Sequence, residues 1–519
     1  MSFFWLITIV VLYLAVVAYL GYQGFAKTKN AADYMLGGRS IHPYVMAMSY
    51  GATFISTSAI VGFGGFAGLF GMSLLWLTVL NIGVGIFIAF VFFGKKTRKI
   101  GLNLDAHTFP ELLGRHFKSA FIQRFMGIVI FLFMPLYAAA VLIGASKILE
   151  HFLGIDYRWA VTLFSILVAT YVIMGGLKGV MYTDALQGSL MFFGMIFLFV
   201  VIYAKLGGVI TAHKALSAMA GLVPENLAKA GHMGWAASPK LWSPYWWTVY
   251  SSIVLGVGIG VLAQPQLIVR YMTVKSDKEL NRAIAIGGVF IFITVGTSFI
   301  VGSLSNVLFF KDMGVISMAA AKGNPDNVIP LFINTYMPSW FIYLFMLVIL
   351  SAGMSTLSSQ FHTIGTSIGR DVVTLGKTKS SDDLKKREVL VTRIGIIVSI
   401  LLTVLLSFTM EGGVIARATA IFFGLMASSF LAPYIGMLYF KGITKQGAIA
   451  GMISGVAVSV FAFLFLHAKE AAVFKLSELL FGKVTIIGGL FGFVDPLVYA
   501  LPVSVICTVV VSLITKKKA

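Results

Sequence analysis

Hydrophobic stretches of about 18 to 28 residues recur along the whole chain, each long enough to cross a hydrocarbon core of roughly 30 Å as a helix. That recurrence restricts the chain to a polytopic helical membrane protein, because lipid offers no partner for unpaired backbone groups. Composition agrees, with 59% of the 519 residues hydrophobic and 11% charged. The alternation over about ten residues that marks a membrane β-barrel is absent. The expectation is an all-α polytopic membrane protein, one transmembrane domain over 1–519 with about thirteen helices in contact with membrane lipid.

The spans are read at 4–23, 43–70, 72–94, 122–148, 159–174, 180–204, 245–271, 283–308, 337–366, 390–409, 414–440, 447–467 and 495–514. Two of them are interrupted. The first, 43–70, places the small, polar middle Ala52-Thr53-Phe54-Ile55-Ser56-Thr57-Ser58 among glycines, and it is expected to unwind at its centre. The second, 245–271, holds Gly256-Val257-Gly258-Ile259-Gly260 and then Gln264-Pro265-Gln266, which predicts another break. The second break comes five spans after the first, so they occupy corresponding positions in two successive halves, 43–204 and 245–440. Loop charges have those halves entering from opposite sides. This is the pattern of an inverted repeat, in which broken helices bring free carbonyls and half-helix ends to a midplane site.

A net charge of +20 invites a nucleic-acid reading, but the Lys and Arg residues lie between the spans. Such a bias reports orientation rather than ligand. The more basic side includes the segment from Arg370 to Arg387 and the terminal Lys516, Lys517 and Lys518. With that side cytoplasmic, the N-terminus lies outside and the C-terminus inside, in a prokaryotic plasma membrane. The single cysteine, Cys507, excludes an internal disulfide and a cysteine-based metal or redox centre, and the eight histidines lack metal-ligand spacing. No nucleotide-binding glycine loop and no covalent catalytic constellation is present. The chain is therefore expected to be no enzyme and to use no cofactor beyond a coupling ion.

Ala352, Ser355, Thr356 and Ser359 share one face of a helix at spacings i, i+3, i+4 and i+7. Small residues let membrane helices approach closely, and hydroxyls bond back to their own backbone. The alternative is a site for a small hard cation, which wants several oxygen ligands. Asp184 has a similar split. A carboxylate inside a hydrophobic segment marks an ion pathway, whereas one at a helix start merely complements the helix dipole. Arg417 is either an interfacial anchor or a contact for an anionic solute.

Gly175-Gly176 with Thr183-Asp184 and Gln187 resembles the signature of the sodium:solute symporter family, as do Gly37-Gly38-Arg39-Ser40, Gln264-Pro265 with Arg270, and the run from Ala352 to Ser359. The resemblance spans most of the chain, in order. It implies a LeuT-like fold of five plus five inverted helices, with an extra helix at 4–23 and two more within 447–514. It also implies a first sodium site at Ala52, Ile55, Ala352, Ser355 and Thr356. A second sodium site, present in some members, maps to Asp184, Ser355, Ser358 and Ser359.

The function so implied is sodium-coupled import of a small organic solute by alternating access. The solute site falls beside the two breaks, at Ser56, Thr57, Ser58, Gln264 and Gln266, each of which also reads as helix packing or a backbone cap. The first broken helix is more similar to pantothenate and monocarboxylate carriers than to sugar carriers. Gln264-Pro265 is shared with proline carriers, but Phe54 and Ser58 stand where those have an acid and a tryptophan. An organic acid or an amino acid is the expected cargo. The rival reading is a membrane sensor or channel of the same fold; neither a signalling domain nor a repeated filter loop is visible. Oligomeric state is not legible.

Overall fold

A computed structural model describes residues 3–28, 31–375, 382–410 and 413–516. Lys517, Lys518 and part of the basic segment counted for orientation, 376–381, lie outside the described residues. The described chain is helical, with no strand. Eleven of its helices are long and apolar enough to cross a membrane. The difference from the expected count arises in two places. Residues 58–103 form one helical run interrupted at Gly71, and the expected span 159–174 appears as a shorter apolar helix, Tyr157–Thr170. Gly71 adopts φ 70° with its Cα against the Trp235 carbonyl, where a Cβ would sit 2.0 Å from that oxygen. Only glycine fits there.

Helix α1 (Phe3–Ala26) precedes α2 (Pro43–Phe54). Helix α2 begins with Pro43 in its first turn, where a missing N–H costs nothing. It ends where expected: Ile55 and Ser56 leave the helical conformation, and the chain resumes with wide turns over Ser58–Phe63 and then α3 (Gly64–Phe70). The Ser56 hydroxyl accepts the Ser58 N–H at 3.1 Å and restarts the helix as a cap. Next come α4 (Leu75–Ile82), α5 (Phe109–His116), α6 (Ala120–Leu153) and α7 (Tyr157–Lys205), the last broken at Gly176.

The second interruption falls at Gln264 (φ −76°, ψ 114°), between the turns of Pro244–Ala263 and α8 (Pro265–Tyr271). Proline has no N–H and pushes the residue before it out of the helical region. Beyond lie α9 (Asp277–Met313), α10 (Ser339–Thr366), α11 (Asp382–Thr409), α12 (Ile415–Met426), α13 (Lys445–Phe465) and α14 (Leu497–Thr515). Helix α2 packs on α7, α9 and α10, while α13 pairs with α14. In α10 and its extension to Val373, 83% of the apolar window is buried, against 33% for Val389–Thr409. The helix with the hydroxyl stripe is thus surrounded by protein, and its stripe faces other helices rather than lipid.

The short helix α5 is locked to the residues that follow α10. Glu111, fully buried, takes two bonds from the Arg370 guanidinium (2.7 and 2.9 Å) and a third contact from Arg115 at 2.5 Å. Burial alone would push the Glu111 carboxyl up, but His107, Arg370 and Arg115 together hold it down to about 2. A carboxyl with a folded pKa below its ordinary 4.5 stabilises the fold above that value and loses the contribution as pH falls toward about 2. Arg370→Gln leaves a buried carboxylate short of its main partner. It should lower stability at neutral pH by roughly 3–5 kcal/mol, with the deficit shrinking below pH 4.5, as thermal unfolding in detergent would record. A deficit independent of pH would refute this account of the clamp.

Candidate ion and solute site

Unwinding α2 leaves carbonyls without their intrahelical donors, and at membrane depth those must be found elsewhere. Helix α10 supplies them. Ser355 Oγ donates to the Ala52 carbonyl at 2.9 Å, and Thr356 Oγ1 lies 3.3 Å from the Ala52 carbonyl and 3.1 Å from that of Thr53. Ser355 Oγ also lies 2.8 Å from the Ser351 carbonyl and 3.3 Å from that of Ala352. Ala52, Ala352, Ser355 and Thr356 thus converge in a fully buried knot where α2 crosses α10. Ile55 lies at the break itself, buried, and takes no part in the hydrogen bonds joining the two helices. Two hydroxyls beside several carbonyls form an oxygen set of the kind a hard monovalent cation takes, since each hydroxyl can turn its proton away and offer a lone pair.

The residues mapped to a second ion separate into two groups. Asp184 lies beyond the first turn after Gly176 and is fully buried, which removes the helix-start reading. Its Oδ2 accepts from Ser49 Oγ (2.7 Å), from Arg270 Nη2 (3.0 Å) and from Thr53 Oγ1 (3.4 Å). Arg270 Nη2 also reaches Ser359 Oγ and Thr53 Oγ1, both at 2.6 Å, and its Nε donates to Ser49 Oγ at 2.9 Å. A further bond runs from Arg270 to the Gln266 carbonyl. Asp184 and Ser359 therefore share one network with Arg270 at its centre. Ser358 instead bonds the Ser355 carbonyl at 3.1 Å, and the Ser355 hydroxyl turns to backbone as described. Asp184 Oδ1 has no partner among the described residues.

Of the solute candidates, only Ser56 lines the cavity beside the first break, which is also bounded by Phe54, Asn81, Tyr137, Val257 and Phe423. Thr57 Oγ1 donates to the Val141 carbonyl (2.6 Å), and Gln264 Nε2 to the Gly260 carbonyl (3.2 Å), so both serve the backbone. Ser58 is buried with its hydroxyl unpartnered but does not reach the cavity. Gln266 bonds Gln264 at 3.3 Å and lines a separate space with Arg270 and His362. The residue that sequence reasoning missed is Asn81 on α4, buried, with its Oδ1 unpartnered at the cavity wall. A lone amide in the apolar run Leu75–Ile82 was the available signal. No charged side chain lines this cavity. Arg417, partly buried, pairs with Glu470 at 2.8 and 3.1 Å through its Nη2 and Nε.

The model of the family described as "Sodium:solute symporter family" matches residues 34–455. Among curated relatives, the "Osmoregulated proline transporter OpuE" of Bacillus subtilis is 27% identical over 98% of this chain and 94% of its own length. A "Sodium/proline symporter" of Staphylococcus aureus is 28% identical over 98% of this chain and 92% of its own. Among solved structures, a Na+-coupled sialic acid symporter in a substrate-bound outward-open state superposes with a TM-score of 0.74 at 22% identity, over 98% of both chains. That likeness establishes the fold.

Removing either member of the Asp184–Arg270 pair strands the other without water. A double-mutant cycle with Asp184→Asn and Arg270→Gln should give a coupling of about 1–3 kcal/mol in thermal or denaturant unfolding. Additive single effects would show that the pair carries no mutual stabilisation.

Proposed function

Since the chain belongs to the sodium:solute symporter family, we propose that its buried knot of hydroxyls and carbonyls is the seat of the sodium that drives import of a small organic solute. The fold is LeuT-like, and the chain is a sodium-coupled secondary active symporter. The two repeats are assigned to 43–204 and 245–440, with the extra helix at 4–23 and the two final helices within 447–514. The observation that carries the ion assignment is the meeting of Ser355 and Thr356 with the Ala52 carbonyl across the break in α2. Ala352 and Ile55 complete the ligand set, the latter through its carbonyl. Neutral oxygens drawn from two different helices bind sodium only while those helices are apposed, so ion occupancy selects one conformation. Each charge moved inward across about 100 mV adds roughly 2.3 kcal/mol of drive.

A second sodium would be held by Asp184 with Ser355, Ser358 and Ser359. In the present conformation Arg270 occupies both Asp184 and Ser359. Loading that site therefore requires the guanidinium to withdraw, and the unpartnered Asp184 Oδ1 is the oxygen ready for the ion. The solute binds in the uncharged cavity at Ser56 and Asn81, against Phe54, Tyr137 and Phe423. Its apolar body meets the aromatic rings, and its polar group meets the amide and the half-helix ends at the break. An amino acid or a small organic acid fits these terms. The basic face is assigned to the cytoplasm, with the N-terminus outside.

Uptake by proteoliposomes of labelled amino acids and monocarboxylates, with and without an inward sodium gradient, tests this reading. One solute should accumulate only with sodium. Thr356→Ala should weaken the sodium response about tenfold or more, equivalent to about 1.4 kcal/mol, and Asn81→Ala should raise the half-saturating solute concentration while leaving the sodium response in place. Accumulation unaffected by sodium, in wild type and Thr356→Ala alike, would remove the ion site from the mechanism.

A further inference from the structure

A further cavity, open in part to solvent, stands above the first along the same helices. On α12, Thr419 and Phe423 line the inner space while Ala416, Arg417 and Ala420 line the outer one. Val257 gives way to Ser252 and Ile253, and Phe63 to Phe66, in the same sense. Each step is about one helical turn, roughly 5 Å. The outer cavity therefore continues the inner one, toward the ends of α13 and α14 that lie opposite Lys445 and Lys516. Its roof comes from the connection between those two helices, where Ala468–Phe474 carries Lys469 and Glu470, and Phe493 and Asp495 precede α14. These roof residues lie beyond residue 455, where the match to the family model ends.

Charge is distributed unevenly over this space. Arg417 is engaged by Glu470, which also contacts His467. Asp495 is 3% exposed, and its Oδ1 accepts the Leu497 N–H at 2.9 Å. No basic side chain pairs with it among the described residues, and burial pushes its carboxyl up to about 7. Lys469 likewise has no carboxylate partner there. A buried acid facing a cavity without a cation of its own is stabilised in its charged form by any cationic group that enters. Across from it, Lys469 and the outer edge of Arg417 offer donors to an anion, and Phe66, Phe463 and Phe493 supply an apolar wall.

We propose that this cavity is an outer holding site for a small zwitterion, its ammonium on Asp495 and its carboxylate on Lys469 and Arg417, occupied before the solute moves one turn inward to Asn81. The proposal rests on the transport reading and narrows its cargo to amino acids. A monocarboxylate lacks the group that Asp495 requires. The two cavities share α12, so a solute leaving the outer one passes Ala420 and meets Thr419 and Phe423 next.

Equilibrium dialysis of the purified full-length protein in sodium, with labelled L-proline, L-alanine, L-threonine and L-phenylalanine, and with pyruvate as the anion lacking an ammonium, tests this. At least one amino acid should bind at two equivalents per chain. Asp495→Asn should bind one, because asparagine keeps the acceptor that caps α14 but not the charge. Lys469→Gln, at an exposed position, should weaken the same equivalent roughly tenfold. One equivalent in wild type, or two undiminished in Asp495→Asn, would overturn the outer site. Sodium-driven pyruvate uptake with no amino-acid binding would also overturn it while leaving the symporter reading intact. Two Asp495-dependent equivalents without uptake of any solute would support the cavity and count against the transport reading alone.

Discussion

The break in α2 imposes the condition that the rest of the molecule meets. A helix opened at membrane depth has carbonyls that water cannot reach, and each unpaired group costs several kcal/mol in hydrocarbon. The fold answers by setting the hydroxyl face of α10 against the opening, so that Ser355 and Thr356 bond the carbonyls of Ala52 and Thr53. Those bonds require α10 to be sequestered among other helices, as it is, and α2 to lie across it. The oxygens so satisfied are the ones proposed above as sodium ligands.

The Asp184–Arg270 pair is the second fixed point, and it binds four elements into one unit. Asp184 comes from α7, Arg270 from α8, Ser49 and Thr53 from α2, and Ser359 from α10. Desolvating two charges costs several kcal/mol per ion, which the pair recovers only with its remaining donors and acceptors satisfied. Arg270 achieves this through five bonds; Asp184 does so at one oxygen only. Such a network holds firmly while complete and yields as a unit once one member leaves. That behaviour suits a carrier that must hold one of two states.

Much of this was legible in the chain alone, where the governing physics is local. Proline at 265 and the small polar run after Gly51 announce the two breaks, and hydroxyls spaced i, i+3, i+4 and i+7 announce the face that meets the first of them. What escaped depends on how helices rotate against each other. Composition could not say that Thr57 turns to the Val141 carbonyl while Ser56 turns to the cavity. Nor could it show that Arg417 finds its acid 53 residues on, in the connection before α14. Arg270 and Asp184 were each visible as charges within or beside apolar segments. Their pairing became evident only once α8 and α7 were packed together.

The cavity beside the break in α2 has no charged side chain in its lining, and the knot where α2 crosses α10 consists of neutral oxygens. Asp184 and Arg270 cancel. Around the break in α2 the protein therefore brings no net fixed charge to the core. One sodium with a zwitterion would carry a single positive charge inward, and one sodium with a monocarboxylate none, so the membrane current tells the two kinds of cargo apart.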